Sequence, residues 1–240
     1  MSIRRTVIIV LGIALFTYLT YWGIQMYQFA KGVEEDFQRK KLFVTENRIQ
    51  DGDLIFQISL SNQSKAIQLA TQSKYSHMGI IYEQNGQWYV YEAIATVRFT
   101  PLQDWIKRGK NKHFVIKRLK AANTILTVEN LQAMKAVGET FKNKQYDLYF
   151  EWSDNRIYCS ELVWKIYHEA TGVEIGALQT LDKFDLTHRT VKNKMKERYG
   201  DQVPLSEVVI SPAAMFHSNL LEEVDLLYPY SEEIQEYNTQ

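Results

Sequence analysis

The dipeptide Asn85-Gly86 constrains the fold of this chain more than any other feature. It lies between two short apolar runs, residues 78–82 and 88–94, and the second run is rich in aromatic and β-branched residues. Asn-Gly flanked by such runs is the strongest short-range signal for a β-hairpin with a two-residue turn. The sequence therefore predicts two antiparallel strands that are joined at this dipeptide.

This turn determines which side chains share a face of the hairpin. With Asn85 and Gly86 in the turn, Gly79 faces Glu92 and His77 faces Ile94, because side chains alternate between the two faces. His77 and Glu92 then lie diagonally on one face, with about 7–8 Å between their backbones. Their side chains can close that gap, and Gly79 leaves room for the carboxylate.

The other periodic segments predict an α+β domain with a largely antiparallel sheet. Thr100-Pro101-Leu102-Gln103 predicts a helix that begins with a Thr N-cap and a capping box and ends near Gly109. Apolar runs predict further strands, and spacings of three and four residues predict further helices. The predicted strands are 54–58, 113–119 and 208–210, and the predicted helices are 127–142 and 159–170. Residues 182–202 are charged and predict a surface insertion.

The composition excludes several classes of function. The 240 residues carry 28 basic and 28 acidic side chains, so no net charge favours nucleic acid. The single cysteine excludes an internal disulfide. The spacing of His, Cys and Asp matches no metal site, so neither a metal nor another cofactor is predicted.

The single cysteine, Cys159, lies at the predicted start of a helix. A helix N-terminus and a nearby imidazolium both lower the pKa of a thiol, and the thiolate is the nucleophile. His77 would supply the imidazole, and Glu92 would orient it from the same hairpin face. Each residue also has a simpler interpretation: a lone Cys is most often a small buried hydrophobe, and His77 or Glu92 could be a solvated side chain.

No charged residue occurs between Thr6 and Tyr27. As a helix this segment of about 22 residues would be about 33 Å long, enough to span a bilayer core. We therefore predict a membrane anchor over residues 1–29, a connector over 30–50 and a catalytic domain over 51–240. A cleaved signal peptide is the alternative. Arg4 and Arg5 favour a cytoplasmic N-terminus and an extracytoplasmic domain.

Five motifs of the chain resemble the YiiX/YaeF-like permuted papain-fold amidases, which are relatives of the NlpC/P60 cell-wall peptidases. In the NlpC/P60 family the helix with the cysteine precedes the Gly-Asp strand and the histidine strand. Here it follows them, as in the permuted group. The resemblance covers about residues 50–220, although the insertion at 182–202 is not matched. The motifs are Gly-Asp-Leu-Ile-Phe (52–56), Ser-His-Met-Gly-Ile-Ile (76–81), Tyr-Glu-Ala (91–93), Tyr-Asp-Leu-Tyr-Phe (146–150) and Tyr-Cys-Ser-Glu-Leu-Val (158–163).

The resemblance implies a circularly permuted papain-like fold and a catalytic set of Cys159, His77 and Glu92. It also implies that Tyr146 lines the substrate site. The expected activity is hydrolysis of an amide or peptide bond through an acyl-enzyme, with peptidoglycan stem peptide as the first candidate substrate. The alternatives are a lipid acyl hydrolase or acyltransferase, and a non-catalytic binding module. An apolar rim around Cys159 would favour lipid, whereas a polar groove would favour peptide.

Overall fold

The computed structural model describes residues 3–224, with the side chains of residues 11–32 and 48–224. The chain divides into two compact units, and the larger one spans Arg48–Asp225. This larger unit contains the sheet and all the predicted site residues.

The N-terminal segment is helical. Helix α1 spans Ile3–Arg48 and therefore includes most of the predicted connector. Across the part of the chain that the structure describes, no helix combines the length and apolar character needed to cross a bilayer. The predicted transmembrane helix over residues 1–29 is therefore not supported. The side chains of residues 1–10, which belong to the predicted anchor, lie outside the described part.

The larger unit combines short strands with helices, which confirms the mixed α and β composition. Its strands are β1 (Leu54–Gln57), β2 (His77–Gln84), β3 (Gln87–Ala93), β4 (Val97–Pro101), β5 (Phe114–Leu119), β6 (Gln145–Tyr146), β7 (Arg156–Ile157), β8 (Gln179–Thr180), β9 (Val208–Val209) and β10 (Leu221–Glu223). Its α-helices are α2 (Ser64–Thr71), α3 (Leu102–Arg108), α4 (Ala122–Ile125), α5 (Val128–Phe141), α6 (Cys159–Thr171), α7 (Arg189–Tyr199) and α8 (Pro212–Phe216).

One antiparallel sheet organises this unit, with the strand order β10-β5-β1-β2-β3-β4. Helices α5 and α6 pack against each other, and α6 also packs against β2 and β3. Buried side chains of the sheet, such as Phe56 and Ile80, meet Leu162 and Ile166 of α6 in one core. Burying each such side chain stabilises the fold by about 1.5–3 kcal/mol, so α6 is held firmly against the strands that carry His77 and Glu92.

The central hairpin has the predicted register. Gln84 pairs with Gln87, and the ladder continues to Ile80 opposite Tyr91. Gly79 is needed where the two strands approach most closely. A Cβ atom there would lie 2.5 Å from Val90 Cγ1 and 2.7 Å from the carbonyl oxygen of Tyr91.

Two predictions, one for Thr100 and one for residues 182–202, require correction. Thr100 is not a helix N-cap but belongs to strand β4, and helix α3 begins only at Leu102. The Thr100 hydroxyl donates instead to the Glu92 carboxylate, at 2.6 Å. The insertion at 182–202 is not only a surface feature: α7 lies within it and packs against α2, with Val191 buried.

Candidate active site

Cys159 is the first residue of helix α6. The helix begins here because Tyr158 is extended, and it ends at Gly172, which has a left-handed conformation that favours glycine. The start of α6 is fixed to the segment that follows β9. The Ser160 hydroxyl donates to the carbonyl oxygen of Ile210 at 2.9 Å, and the Ile210 N–H donates to the Tyr158 hydroxyl at 3.1 Å. The Cys159 thiol therefore has a fixed position at a helix N-terminus.

His77, the first residue of β2, links the cysteine to the acid. Its Nε2 atom lies 2.5 Å from Oε2 of Glu92. The Cys159 side chain is close enough to the ring to raise the pKa of His77. Because Nε2 faces the carboxylate, Nδ1 is the ring atom that is left for the thiol. The structure thus brings Cys159, His77 and Glu92 together in the order that the sequence predicts.

Glu92 is fully buried and accepts hydrogen bonds from three more side chains. The Thr100 hydroxyl donates to Oε1, and Trp105 Nε1 donates to Oε2 at 2.9 Å. Nη2 of Arg108 lies 2.7 Å from Oε1 and 2.6 Å from Oε2. A buried carboxylate without such partners would be costly, so these contacts explain how the charge of Glu92 is maintained beside His77.

The electrostatics of the site favour a charged His77 and a charged Glu92. Burial disfavours the imidazolium, but interactions with the Cys159 side chain and with the Glu92 carboxylate outweigh it and raise the pKa of His77 to about 9. Burial likewise disfavours the carboxylate, but His77 and Arg108 outweigh it and lower the pKa of Glu92 to about 2. At neutral pH the ring therefore carries a proton on each nitrogen.

Three residues that donate to Glu92 were not predicted from the sequence: Thr100, Trp105 and Arg108. Trp105 and Arg108 lie three residues apart on α3, so they share one face of that helix. The Trp105 ring also stacks on His77, with 5.9 Å between the ring centroids and 25° between the planes. The signal in the sequence was a tryptophan and an arginine three residues apart, soon after strand β3 with Glu92. This spacing is typical of two side chains that share one face of a helix.

Tyr146 lies beside the thiol, as its predicted place in the substrate site requires. Its hydroxyl accepts a hydrogen bond from Gln63 Nε2 at 3.0 Å, and the residue lines the same pocket as Cys159. Burial raises the pKa of Tyr146 well above its usual range, so the hydroxyl keeps its proton. The two neighbouring tyrosines differ: Tyr149 is exposed, and the hydroxyl of Tyr158 accepts from Ile210.

An apolar pocket opens beside Cys159, with about 690 Å³ of empty space including the solvent at its mouth. Helix α2 forms one wall, helix α7 a second wall and the segment around β9 a third. Tyr146, Phe150 and Cys159 also line the pocket. The apolar side chains of its walls include Ala66, Ile67, Ala70, Val191, Met195 and Val209. The surface next to the sulfur is therefore an apolar rim and not a polar groove.

The larger unit is similar to two known proteins. The uncharacterized protein YiiX of Escherichia coli strain K12 is 46% identical over 180 residues, which are 75% of this chain and 88% of that protein. The crystal structure of the metalloprotein yiiX from Escherichia coli O157:H7 superposes with a TM-score of 0.71 at 46% identity. The match covers 74% of this chain and 97% of that one.

That relative is described as a metalloprotein, and a bound metal ion requires several His, Cys, Asp or Glu side chains grouped around it. Among the residues described by the structure, no three His, Cys, Asp or Glu side chains are grouped so that they could hold a metal. At the site, Glu92 is occupied by His77, Thr100, Trp105 and Arg108. The donor set around Cys159 therefore does not fit a metal centre.

The family assignment follows from the match of the larger unit as a whole. The sequence model of a family described as permuted papain-like amidase enzymes, YaeF/YiiX, C92 family, matches residues 48–225. These residues include the sheet, helix α6 and every residue of the candidate site. The chain belongs to the YaeF/YiiX family of permuted papain-like amidases.

Proposed function

We propose that this protein is a cysteine amidase in which Cys159 is the nucleophile, His77 the acid and base, and Glu92 the group that orients the ring. One observation carries the proposal: the His77 imidazole contacts the Glu92 carboxylate at 2.5 Å and lies close enough to the Cys159 side chain for that group to raise the pKa of the ring. A nucleophile, a base within hydrogen-bond distance and a third group that orients the base are the arrangement that covalent catalysis requires.

The reaction follows from these contacts. The Cys159 thiolate attacks the carbonyl carbon of the amide and forms a tetrahedral intermediate. The first N–H groups of a helix have no intrahelical acceptor, so the Cys159 N–H of α6 is available to the oxyanion. His77 then donates its proton to the amide nitrogen, and the C–N bond breaks to leave a thioester. Finally His77 takes a proton from water as its oxygen attacks the thioester carbon. The C–S bond then breaks, which releases the carboxylic acid and restores the Cys159 thiolate beside the protonated His77.

The pocket supports an apolar acyl group on the substrate. Because apolar side chains surround the entrance to Cys159, a hydrocarbon chain would be desolvated there, whereas the polar groups of a stem peptide would lose their hydrogen bonds to water. We therefore propose that the substrate is an amide of an apolar acyl chain. It replaces peptidoglycan stem peptide as the first candidate. Tyr146 would contact this substrate at the reacting end of the pocket.

A series of N-acyl amides with acyl chains of two to sixteen carbons tests this function with the full chain. Each buried CH₂ contributes about 0.8 kcal/mol, so kcat/KM is expected to rise about 3- to 4-fold per methylene until the pocket is filled. Release of the amine is measured, with Cys159→Ala as the inactive control. Equal turnover by the wild type and Cys159→Ala would contradict the mechanism.

The same assay separates the alternative functions. Turnover of a purified stem peptide with no dependence on acyl length would favour the peptidase. Cleavage of acyl esters of phospholipids in preference to amides would favour a lipid acyl hydrolase. Binding of the acyl amides without turnover by the wild type would favour a binding module.

A further inference from the structure

A guanidinium group lies in the wall of the apolar pocket. Arg198, in the last turn of α7, lines the pocket together with Lys194 one turn earlier. The charge of Lys194 is already paired, because its Nζ atom lies 2.6 Å from Oε2 of Glu197. Arg198 is the cation of this wall that needs an explanation.

Within the described part of the chain, Arg198 lacks the ion pair that two other partly buried arginines, Arg108 and Arg118, form. Arg108 and Arg118 each bind a buried carboxylate, that of Glu92 and that of Asp53. Among the described residues, no carboxylate lies within ion-pairing distance of Arg198. The Asp147 carboxylate acts on it only from a distance, since its oxygens accept from backbone N–H groups.

The contacts of Arg198 leave most of its donors available. Nη2 donates to Oε1 of Gln63 at 2.5 Å, and the guanidinium lies 4.9 Å from the centroid of the Phe150 ring. A guanidinium has five N–H donors. The guanidinium nitrogens without a hydrogen bond are not among the buried, unpartnered polar atoms of the described residues, so they remain accessible. An anionic ligand can therefore supply both a counter-charge and acceptors there.

Arg198 is also close to the reacting sulfur. It donates to Gln63, Gln63 donates to the Tyr146 hydroxyl at 3.0 Å, and Tyr146 lines the same pocket as Cys159. The guanidinium is therefore separated from the thiol by two side chains. A group bound to Arg198 would lie near the bond that is cleaved and not at the far end of the acyl chain.

We propose that Arg198 binds an anionic group, a carboxylate or a phosphate, that the substrate carries close to the scissile amide. The planar guanidinium matches either group through two parallel hydrogen bonds. This inference rests on the proposed function and narrows its substrate class to amphiphiles with an apolar acyl chain and an anionic group beside the amide. Arg198, the residue that would select for the anionic group, belongs to the 182–202 segment.

Binding to the full-length Cys159→Ala variant tests the inference without catalysis. Titration calorimetry compares N-decanoylglycine, its neutral analogue N-decanoylglycinamide, and decyl phosphate with decanol. We expect the carboxylate or the phosphate to bind about 10- to 100-fold more tightly than its neutral partner. Whichever pair shows the preference identifies the anion. Adding Arg198→Met should abolish the preference, and Arg198→Lys should restore part of it.

The control variant is Arg189→Met, which removes the same charge from an exposed position on the same helix. It should keep the preference. Equal affinity for the anionic and neutral ligands, no binding of either, or an equal loss of both in Arg198→Met would overturn the inference. If the protein prefers the anionic ligands but the wild type turns over no amide, the amidase is contradicted and the anion site at Arg198 stands. If the wild type turns over amides but shows no anion preference, the anion site is contradicted and the amidase stands.

Discussion

His77 Nε2 lies 2.5 Å from Glu92 Oε2, on two adjacent strands of one hairpin. The contact joins residues that are diagonal and not directly opposite, so it depends on the register of the turn at Asn85 and Gly86. It also lies next to Trp105, whose ring stacks on His77 and whose N–H donates to the same carboxylate oxygen. The orientation of the imidazole is thus fixed by the sheet, by the acid and by helix α3 together.

Glu92→Gln should lower kcat by about 10²- to 10⁴-fold, because the amide cannot stabilise the imidazolium. The pKa of His77 is raised to about 9 partly by this carboxylate, so the ring is protonated below that pH and loses its proton above it. Without the charge of Glu92 the pKa falls, and the alkaline limb of kcat/KM should move to lower pH. The pH profile of amide hydrolysis measures both effects.

The control for this substitution is Glu169→Gln, at an exposed position near the end of α6. It should leave the rate and the profile as in the wild type. An alkaline limb that stays in place in Glu92→Gln would contradict the assignment of that limb to His77.

Arg108→Met should destabilise the protein, because it leaves the buried Glu92 charge with His77 as its remaining ionic partner. The Arg108 side chain is 32% exposed, and solvent screening reduces the effect below that of a fully buried pair. We expect a loss of about 1–3 kcal/mol in the free energy of unfolding, measured by urea denaturation at pH 7. Arg98→Met, at an exposed position of β4, should cost less than about 0.5 kcal/mol. Equal losses in the two variants would argue against the role given to Arg108.

Gly79→Ala should both destabilise the fold and reduce activity. The new methyl group would approach Val90 Cγ1 to 2.5 Å and the Tyr91 carbonyl oxygen to 2.7 Å, and the backbone atom cannot move without separating β2 from β3. Overpacking of this kind costs about 1–3 kcal/mol. Thermal unfolding and the rate of amide hydrolysis measure the two effects. A variant with the melting temperature and rate of the wild type would show that the strands can separate there without penalty.

The hairpin and the meeting of His77 with Glu92 could be predicted because they are local. A two-residue turn fixes the alternation of side chains on both strands, and fifteen positions separate the two residues. The start of α6 was also predictable, since Cys159 precedes a regular apolar stripe and Gly172 ends it. The position of the thiol beside the ring required more, namely the packing of α6 on β2 and β3, and the family resemblance supplied it.

The parts that could not be predicted depend on tertiary contacts between distant segments. Thr100 has the sequence context of a helix N-cap, but the bond to the buried Glu92 places it in a strand. About half of the residues in the segment at 182–202 are charged, and this composition hides a narrow apolar face. Val191 and Met195 are four residues apart on α7, and that face closes the pocket against α2.

The rate of alkylation of Cys159 by iodoacetamide, measured between pH 5 and pH 10, tests the central claim most directly. The chain has one cysteine, so the signal comes from that residue alone. We predict fast alkylation at pH 6 in the wild type, because the His77 imidazolium persists up to a pH of about 9 and stabilises the thiolate. His77→Ala should slow the reaction at pH 6 at least about 10-fold and give the profile of an ordinary thiol, with a midpoint near pH 8.5. Identical profiles in the two proteins would contradict the account.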